Sequence, residues 1–313
     1  MITDTVKVEI PHGTSIYGVV ELMNEKELLQ PKWFFKQFLK FYSRYTGNTI
    51  FAGKYIFSGE TNNLYLIQEL YEGGIKEVVT ITFPEATMPN EMASALQRKA
   101  KIDSVRFMEL VYSDSLLKSR NIPANSVLGY LMPDTYEFYI HQSPESAIDK
   151  MLYEFYAFWD ESRIEKLNYV GLSLHEAVTL ASIVEAETPL KSEAKIVSGL
   201  YLNRIRKGIL LQADPTVQFA MGEKRRVLYK DLKRDHPYNT YVYPGLPPGP
   251  INNPGRKAMQ AAIEPKKHNY IFMVSMGDGS GRHYFTKTLA EHNRYTNVYF
   301  KMRDSIRQAN AEW

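Results

Sequence analysis

Residues 173–208 read "SLHEAVTLASIVEAETPLKSEAKIVSGLYLNRIRKG" and form the centre of the second half of the chain. They predict two helices joined by "TPLK", because Pro189 lacks the N–H that a helix interior needs and so ends the first helix. Four residues of that helix are spaced three or four apart and lie on one face: Ala177, Leu180, Val184 and Glu187. Glu187 therefore stands where the next core residue is expected.

The position of Glu187 indicates a proton donor. A carboxyl at the wall of an apolar cleft loses its hydration, which raises its pKa. A raised pKa lets the group hold a proton near neutral pH, as a general acid must. We expect Glu187 to carry chemistry and Glu185, about 200° around the helix, to have no such role. A helix-terminal Glu paired with Lys or Arg is the alternative, and this feature alone favours it.

Composition excludes several classes of protein. The 313 residues carry 38 Lys and Arg against 35 Asp and Glu, a net charge of +3 that does not indicate a nucleic-acid partner. Cys is absent, which excludes thiol nucleophiles, zinc–thiolate sites and disulfides. No window approaches the roughly 18 apolar residues of a membrane span, so we expect the chain as given to be soluble.

The patterns along the whole chain predict an α+β fold in three parts. Residues 1–75 are predicted as strand, helix, helix, strand and helix, and residues 76–140 as a connecting α+β subdomain that opens with the strand "EVVTITF". In residues 141–313 we expect a long helical segment from about Ser143 to Lys166, the two helices quoted above, a hairpin around "GDGSG" and a final helix from Leu289.

Two further segments carry polar residues that suggest a site. "HEAVT" begins like a zinc-protease helix, but Thr179 replaces the second His, so we expect His175 to have a surface or capping role. In "LQADPTV", Asp214 is either a helix cap or, with Gln212, part of a groove that binds hydroxyls. The segment "YNTYVYPGLPPGPINNPG" holds no acid or base, which suits binding or, alternatively, a Pro-stiffened loop packed on the core.

Taken in order, Glu187, "LQADPTV", "YNTYVYPGLPPGPI" and "HYFTKTLAEHN" resemble the YceG-like endolytic murein transglycosylases, the MltG family. The resemblance implies cleavage of peptidoglycan between N-acetylmuramic acid and N-acetylglucosamine, leaving 1,6-anhydro ends, with Glu187 as the catalytic residue and no metal or cofactor. It also implies a LysM-like N-terminal module, followed by a catalytic domain with a lysozyme-like helical core and a small antiparallel sheet.

The resemblance also implies substrate-binding residues and partners. Five residues are expected to hold sugar hydroxyls and acetamido groups: Gln212, Asp214, Asn239, Thr240 and Tyr241. The expected partners are peptidoglycan strands, peptidoglycan synthases and divisome or elongasome proteins. The expected location is the outer face of the cytoplasmic membrane, through an N-terminal anchor that this chain does not contain. A non-catalytic glycan-binding scaffold and a lysozyme-type hydrolase stay open as alternatives.

Overall fold

The computed structural model describes residues 6–11, 13–29, 35, 37, 39, 50, 53–57, 63–72, 78–223 and 225–311. The chain divides into two compact units. The first unit comprises Met1–Ile81, Ala93–Ser104 and Thr135–Ala147, and the second comprises Thr82–Met92, Val105–Asp134 and Ile148–Trp313. The connecting subdomain expected at residues 76–140 is thus shared between both units, and the three-part division stays a prediction.

The first half of the chain contributes β1 (Val6–Ile10), α1 (Ile16–Glu25), β2 (Gly53–Phe57), α2 (Asn63–Glu72), β3 (Val78–Thr82), α3 (Pro89–Ala100), α4 (Ser104–Val111), α5 (Asp114–Ser119) and β4 (Thr135–Tyr139). The strands expected near residues 5–10 and in "AGKYIFSG", and the helix in "NNLYLIQELYEGG", are confirmed. The helix expected from Pro31 falls largely outside the described residues.

Alternation along β1 explains how the first unit builds its core. Val8 and Ile10 are buried whereas Lys7 and Glu9 are exposed, as a strand with one covered face requires. Strand β1 pairs antiparallel with β2, and Val8 stands opposite Tyr55. Their inner side chains join one apolar cluster with residues of α1 and α2. Strands β3 and β4 form a separate two-stranded sheet.

The second half contributes α6 (Pro144–Phe158), α7 (Glu161–Val170), α8 (Leu174–Glu187), α9 (Ala194–Arg206), α10 (Asp214–Met221), α11 (Arg256–Ile263), β5 (Phe272–Ser275), β6 (His283–Thr286) and α12 (Leu289–Ala311). The helical segment expected from about Ser143 to Lys166 is confirmed, but it consists of two helices, α6 and α7. The side chain of Asp160 accepts a hydrogen bond from the Arg163 N–H and so starts a new helix.

Helix α8 is the centre of the second unit and packs against α9, α10 and α11. It begins with a capping box in which Ser173 and Glu176 bond each other's backbone N–H groups. Every residue from Ala177 to Val184 is buried, so α8 is covered on all sides rather than along one stripe. After this buried stretch, polar side chains of α8 can face a cavity only in its last turn.

The remaining elements complete this unit. Strands β5 and β6 form the expected antiparallel hairpin, with Met273 opposite Phe285, and α12 packs against both strands. Within the described residues, no single helix has the length and apolar character to cross a membrane. Helices α7 and α8 have that length and apolar character only as a pair, and the pair is bent by 82° at the break between them.

Candidate active site

Glu187, the last residue of α8, is half-buried at one wall of a cavity of about 380 Å³. The cavity volume lies within the range of small-molecule sites, about 300–1,000 Å³. The hydroxyl of Tyr201, which is 2% exposed on α9, donates a hydrogen bond of 2.6 Å to Oε1 of Glu187. One carboxylate oxygen is thereby fixed in direction by a buried partner.

Burial raises the pKa of Glu187 from its ordinary value of 4.5 to about 7. Loss of hydration is the largest cause, since the charged form has little water around it. The hydrogen bond from Tyr201 lowers the pKa, the negative charge of Asp214 raises it, and the positive charge of Arg204 lowers it. A carboxyl with this pKa holds a proton on a substantial fraction of molecules near neutral pH.

Arg204 lies at the same cavity, and its Nε and Nη1 donate to backbone carbonyls. Its Nε donates to the Ile271 carbonyl at 2.6 Å, and its Nη1 donates to the Leu211 carbonyl at 2.7 Å and the Leu210 carbonyl at 3.2 Å. The side chain is only 7% exposed, and a buried cation is tolerated when such hydrogen bonds replace its water. Arg204 therefore fixes the two backbone segments that form the cavity walls.

Asp214 and Tyr241 face Glu187 as a hydrogen-bonded pair. The Tyr241 hydroxyl donates to Oδ1 of Asp214 at 2.6 Å, and burial followed by this bond raises the pKa of Tyr241. Asp214 is the first residue of α10, but Ala213 is its N-cap and no side chain caps the helix. The alternative that Asp214 caps the helix is therefore wrong. Asp214 lines the cavity, where its charge acts on Glu187.

Gln212 also lines the cavity and has the least favourable backbone conformation of the segment. Its φ of 50° lies in the left-handed region, which a non-Gly residue seldom adopts. The N–H of Gln212 donates to the Thr240 carbonyl at 3.0 Å, and its Oε1 accepts from Arg204 at 3.4 Å. These bonds hold the exposed side chain at the rim of the cavity.

Asn239 and Thr240 lie elsewhere than expected. Both are buried, and neither lines the cavity. Asn239 donates to the carbonyls of Leu232 and Arg234, while Thr240 Oγ1 accepts from the Ala213 N–H. The structure therefore places them inside the fold, where they hold the loop in position, and leaves Tyr241 as the member of that run beside Glu187.

The C-terminal part of the Pro-rich segment packs on α8, as predicted by the alternative interpretation of a loop packed on the core. The Ile251 N–H donates to Ser182 Oγ at 3.0 Å, and the Gly255 N–H donates to Glu185 Oε2 at 3.0 Å. Glu185 also pairs with Lys191 at 2.8 Å, and its side chain is 8% exposed. Glu185 is thus satisfied on both oxygens, in contrast to Glu187 two residues later.

His175 is not the cap of α8, which is Ser173; it is partly buried and makes two hydrogen bonds. Its Nε2 lies 2.8 Å from the Pro248 carbonyl and therefore donates to it, so Nδ1 accepts from the Tyr130 hydroxyl at 2.8 Å. It links α8 to the Pro-rich loop. Among the described residues, no group of three or more His, Asp or Glu side chains is arranged to bind a metal ion.

The model of the YceG-like family matches residues 8–298. The chain belongs to the YceG-like family. It is 31% identical to the endolytic murein transglycosylase of Bacillus subtilis strain 168, over 96% of this chain and 86% of that protein. It is 25% identical to the endolytic murein transglycosylase of Streptococcus pneumoniae D39, over 92% of this chain and 57% of that protein.

A solved structure gives the same relationship. The crystal structure of a YceG-like protein from Listeria monocytogenes is 30% identical, with a TM-score of 0.63, and the match covers 93% of this chain and 99% of that one. The mixed α+β fold of this YceG-like chain agrees with the predicted fold class. The identification as a YceG-like protein, first made from the ordered motifs, is confirmed.

In this YceG-like chain, sequence reasoning missed eight of the twelve residues that line the cavity: Leu200, Tyr201, Arg204, Leu211, Phe272, Met273, Leu289 and His292. The signal for three of them was present. Val197, Leu200 and Tyr201 form an apolar stripe on α9, and Arg204 stands at the next position of that stripe, as Glu187 does on α8. For the other five, no local pattern distinguishes a cavity wall from ordinary packing.

Proposed function

We propose that this protein is an endolytic peptidoglycan lytic transglycosylase that trims or terminates nascent strands during wall synthesis, with Glu187 as both acid and base. One observation carries the proposal: a shielded carboxyl with a pKa of about 7 lies in a cavity of suitable size, held by Tyr201. Membership of the YceG-like family, and relatives named endolytic murein transglycosylases, support the same reaction.

In the proposed first step, protonated Glu187 donates its proton to the oxygen that joins C1 of N-acetylmuramic acid to C4 of N-acetylglucosamine. The C1–oxygen bond breaks, the glucosamine leaves as an alcohol, and the muramyl N-acetyl group stabilises the developing cation. In the second step, the Glu187 carboxylate accepts the proton of the muramyl C6 hydroxyl. Oxygen O6 then bonds to C1, which forms the 1,6-anhydro ring without consuming water and returns Glu187 to its protonated form.

A pKa near 7 suits both steps, because one group must release a proton and then take one up at the same pH. Hydrolytic glycosidases generally use two carboxylates, the second to activate water or attack C1. Asp214 is present at the same cavity, but Tyr241 already occupies one of its oxygens. The proposal gives Asp214 an electrostatic role on Glu187 and a binding role, with Gln212 and Tyr241, toward sugar hydroxyls and acetamido groups.

The proposal extends to organisation and location. Residues 1–75 would be a LysM-like module, residues 76–140 a connecting subdomain and residues 141–313 the catalytic domain. The antiparallel pairing of β1 with β2 around α1 supports the first assignment. In the proposal the protein acts at the outer face of the cytoplasmic membrane, among peptidoglycan synthases and divisome or elongasome proteins.

The deciding experiment compares Glu187→Gln with Glu185→Gln on purified glycan strands, with products analysed by mass spectrometry. We expect wild type and Glu185→Gln to release fragments with 1,6-anhydro ends, and Glu187→Gln to release none while it still binds strands. Reducing ends from the wild type would identify a hydrolase instead. Equal product from wild type and Glu187→Gln would exclude Glu187 as the catalytic residue.

A further inference from the structure

A second cavity, of about 590 Å³, lies on the other side of α9. Gly199, Asn203 and Arg206 line it and recur at spacings of four and three, so they form one stripe of the helix. Tyr201, which bonds Glu187, is two residues or about 200° from that stripe. One helix therefore separates the two cavities, and nothing in the proposed reaction uses the second.

Another wall of the second cavity is the segment 263–269, which α9 holds in place. The Lys266 N–H donates to the Lys195 carbonyl at 2.8 Å, and Asn203 donates to the His268 carbonyl at 2.8 Å. A Cβ on Gly199 would lie 2.4 Å from the Lys266 carbonyl oxygen, so Gly199 is what permits this approach. The cavity is thus formed by segments that bond each other directly.

The charge around the second cavity is predominantly positive. Arg206, Lys266 and Lys267 line it, and none of the three is ion-paired within the part of the chain that the structure describes. The carboxylate of Glu264 also lines the cavity, but it accepts from Lys166 at 2.6 Å and Lys195 at 2.8 Å. These two lysines hold the pKa of Glu264 at about 2, so its charge is already compensated.

The cavity also offers apolar surface: Val170, Ile263 and Pro265 line it beside the cations. An inorganic anion gains nothing from apolar contacts. A short peptide with small side chains and carboxylates can bind both the cations and the apolar surface of the cavity. The sugars of murein are N-acetylated and neutral, so the carboxylates of that polymer belong to its stem peptides. A five-residue stem spans at most about 17 Å, more than the 10–12 Å width of a helix.

We propose that this second cavity binds the carboxylate-bearing stem peptide of the murein strand whose sugar occupies the Glu187 cavity. Arg206 presents a planar fork that matches a carboxylate, and Lys266 and Lys267 add flexible positive charge. Binding of the stem draws on contacts remote from the reacting bond and positions the strand across α9. The identity of the peptide rests on the proposed function, but its binding does not require catalysis.

The test measures binding of an N-acetylated stem pentapeptide by isothermal titration calorimetry, with the same peptide amidated at both carboxylates as the matched ligand. The site variant is Arg206→Gln with Lys267→Gln. The control, Arg226→Gln with Lys230→Gln, removes the same charge at exposed positions. We expect at least tenfold weaker binding for the amidated peptide and for the site variant, and binding within twofold of wild type for the control and for Glu187→Gln.

Three results would overturn the inference: equal binding by the site variant and wild type, equal binding of both peptides, or displacement of the peptide by an equal concentration of inorganic phosphate. Kinetics give a second readout. For the site variant, KM should rise on strands that bear stems and stay unchanged on strands freed of peptides by an amidase, with kcat unaltered on both. If no protein releases anhydro ends from any strand, the proposed function fails while the binding result still stands.

Discussion

Replacing Glu187 by Gln should make the folded protein more stable above neutral pH while it abolishes strand cleavage. The pKa of Glu187 is raised to about 7 by burial, so the folded state binds its proton more tightly than the unfolded state does. Stability from this group is therefore fully present below the ordinary pKa of 4.5 and is lost as pH rises through 7. Gln is neutral throughout and has no such loss.

The size of the effect follows from the two pKa values. The interval from 4.5 to about 7, at about 1.4 kcal/mol for each pH unit, corresponds to about 3 kcal/mol. Glu187→Gln should equal wild type in free energy of unfolding near pH 4 and exceed it by about 3 kcal/mol at pH 8. Other carboxylates titrate alike in both proteins, so they cancel in the difference. In a chain of this length the gain corresponds to a rise in Tm on the order of 5 °C.

Thermal unfolding at pH 4, 6 and 8 is the assay, and Glu185→Gln is the matched control on the same helix turn. Glu185 pairs with Lys191, which is about one-third exposed, so its replacement should lower the free energy of unfolding by about 0.5–2 kcal/mol at pH 8. The two substitutions thus have opposite signs. The inference that burial raises the pKa of Glu187 would be refuted by either of two results. One is a Glu187→Gln protein no more stable than wild type at pH 8, and the other is the same stabilisation at pH 4 as at pH 8.

Two further predictions concern the surroundings of Glu187, and a third concerns the packing around Gly129. Asp214→Asn removes a charge that raises the pKa of Glu187, so the alkaline limb of the pH–rate profile for strand cleavage should move to lower pH; an unmoved limb contradicts this. Tyr201→Phe removes a donor to the carboxylate, so the same limb should move about one pH unit higher, and a fall would contradict it. Gly129→Ala places a Cβ 2.3 Å from Pro250, so the free energy of unfolding measured by calorimetry should fall by about 1–3 kcal/mol. The pH–rate profile for strand cleavage should be unaltered.

Local patterns predicted most elements because each depends on neighbours in sequence. The alternation of β1, the Gly-rich turn between β5 and β6 and the break at Pro189 all carry their own signal. The division between α6 and α7 was missed because aromatic residues continue through it. Its signal was Asp160, whose carboxylate starts α7 by accepting from Arg163.

Glu187 was found by a stripe argument that the packing makes incomplete. Since α8 is buried on all sides from Ala177 to Val184, periodicity does not by itself separate Glu187 from Glu185. The separation comes from partners outside the helix: Lys191 and Gly255 for Glu185, and Tyr201 for Glu187. Asn239 and Thr240 were assigned to the substrate because polar residues in a Pro-rich loop resemble ligand contacts, whereas buried loop backbone also needs such partners.

The buried Arg204 explains why Glu187 can remain an acid at all. A cation beside a shielded carboxyl ordinarily forms an ion pair, which lowers the pKa of the carboxyl and keeps it charged. Here the guanidinium is turned to the carbonyls of Leu211 and Ile271, and of the causes acting on Glu187 its charge is the smallest. Because these bonds engage the guanidinium with backbone beside the cavity, they also keep the cation from forming an ion pair with the acid. Loss of hydration therefore remains the dominant influence on Glu187, and the proton stays where a glycosidic oxygen can receive it.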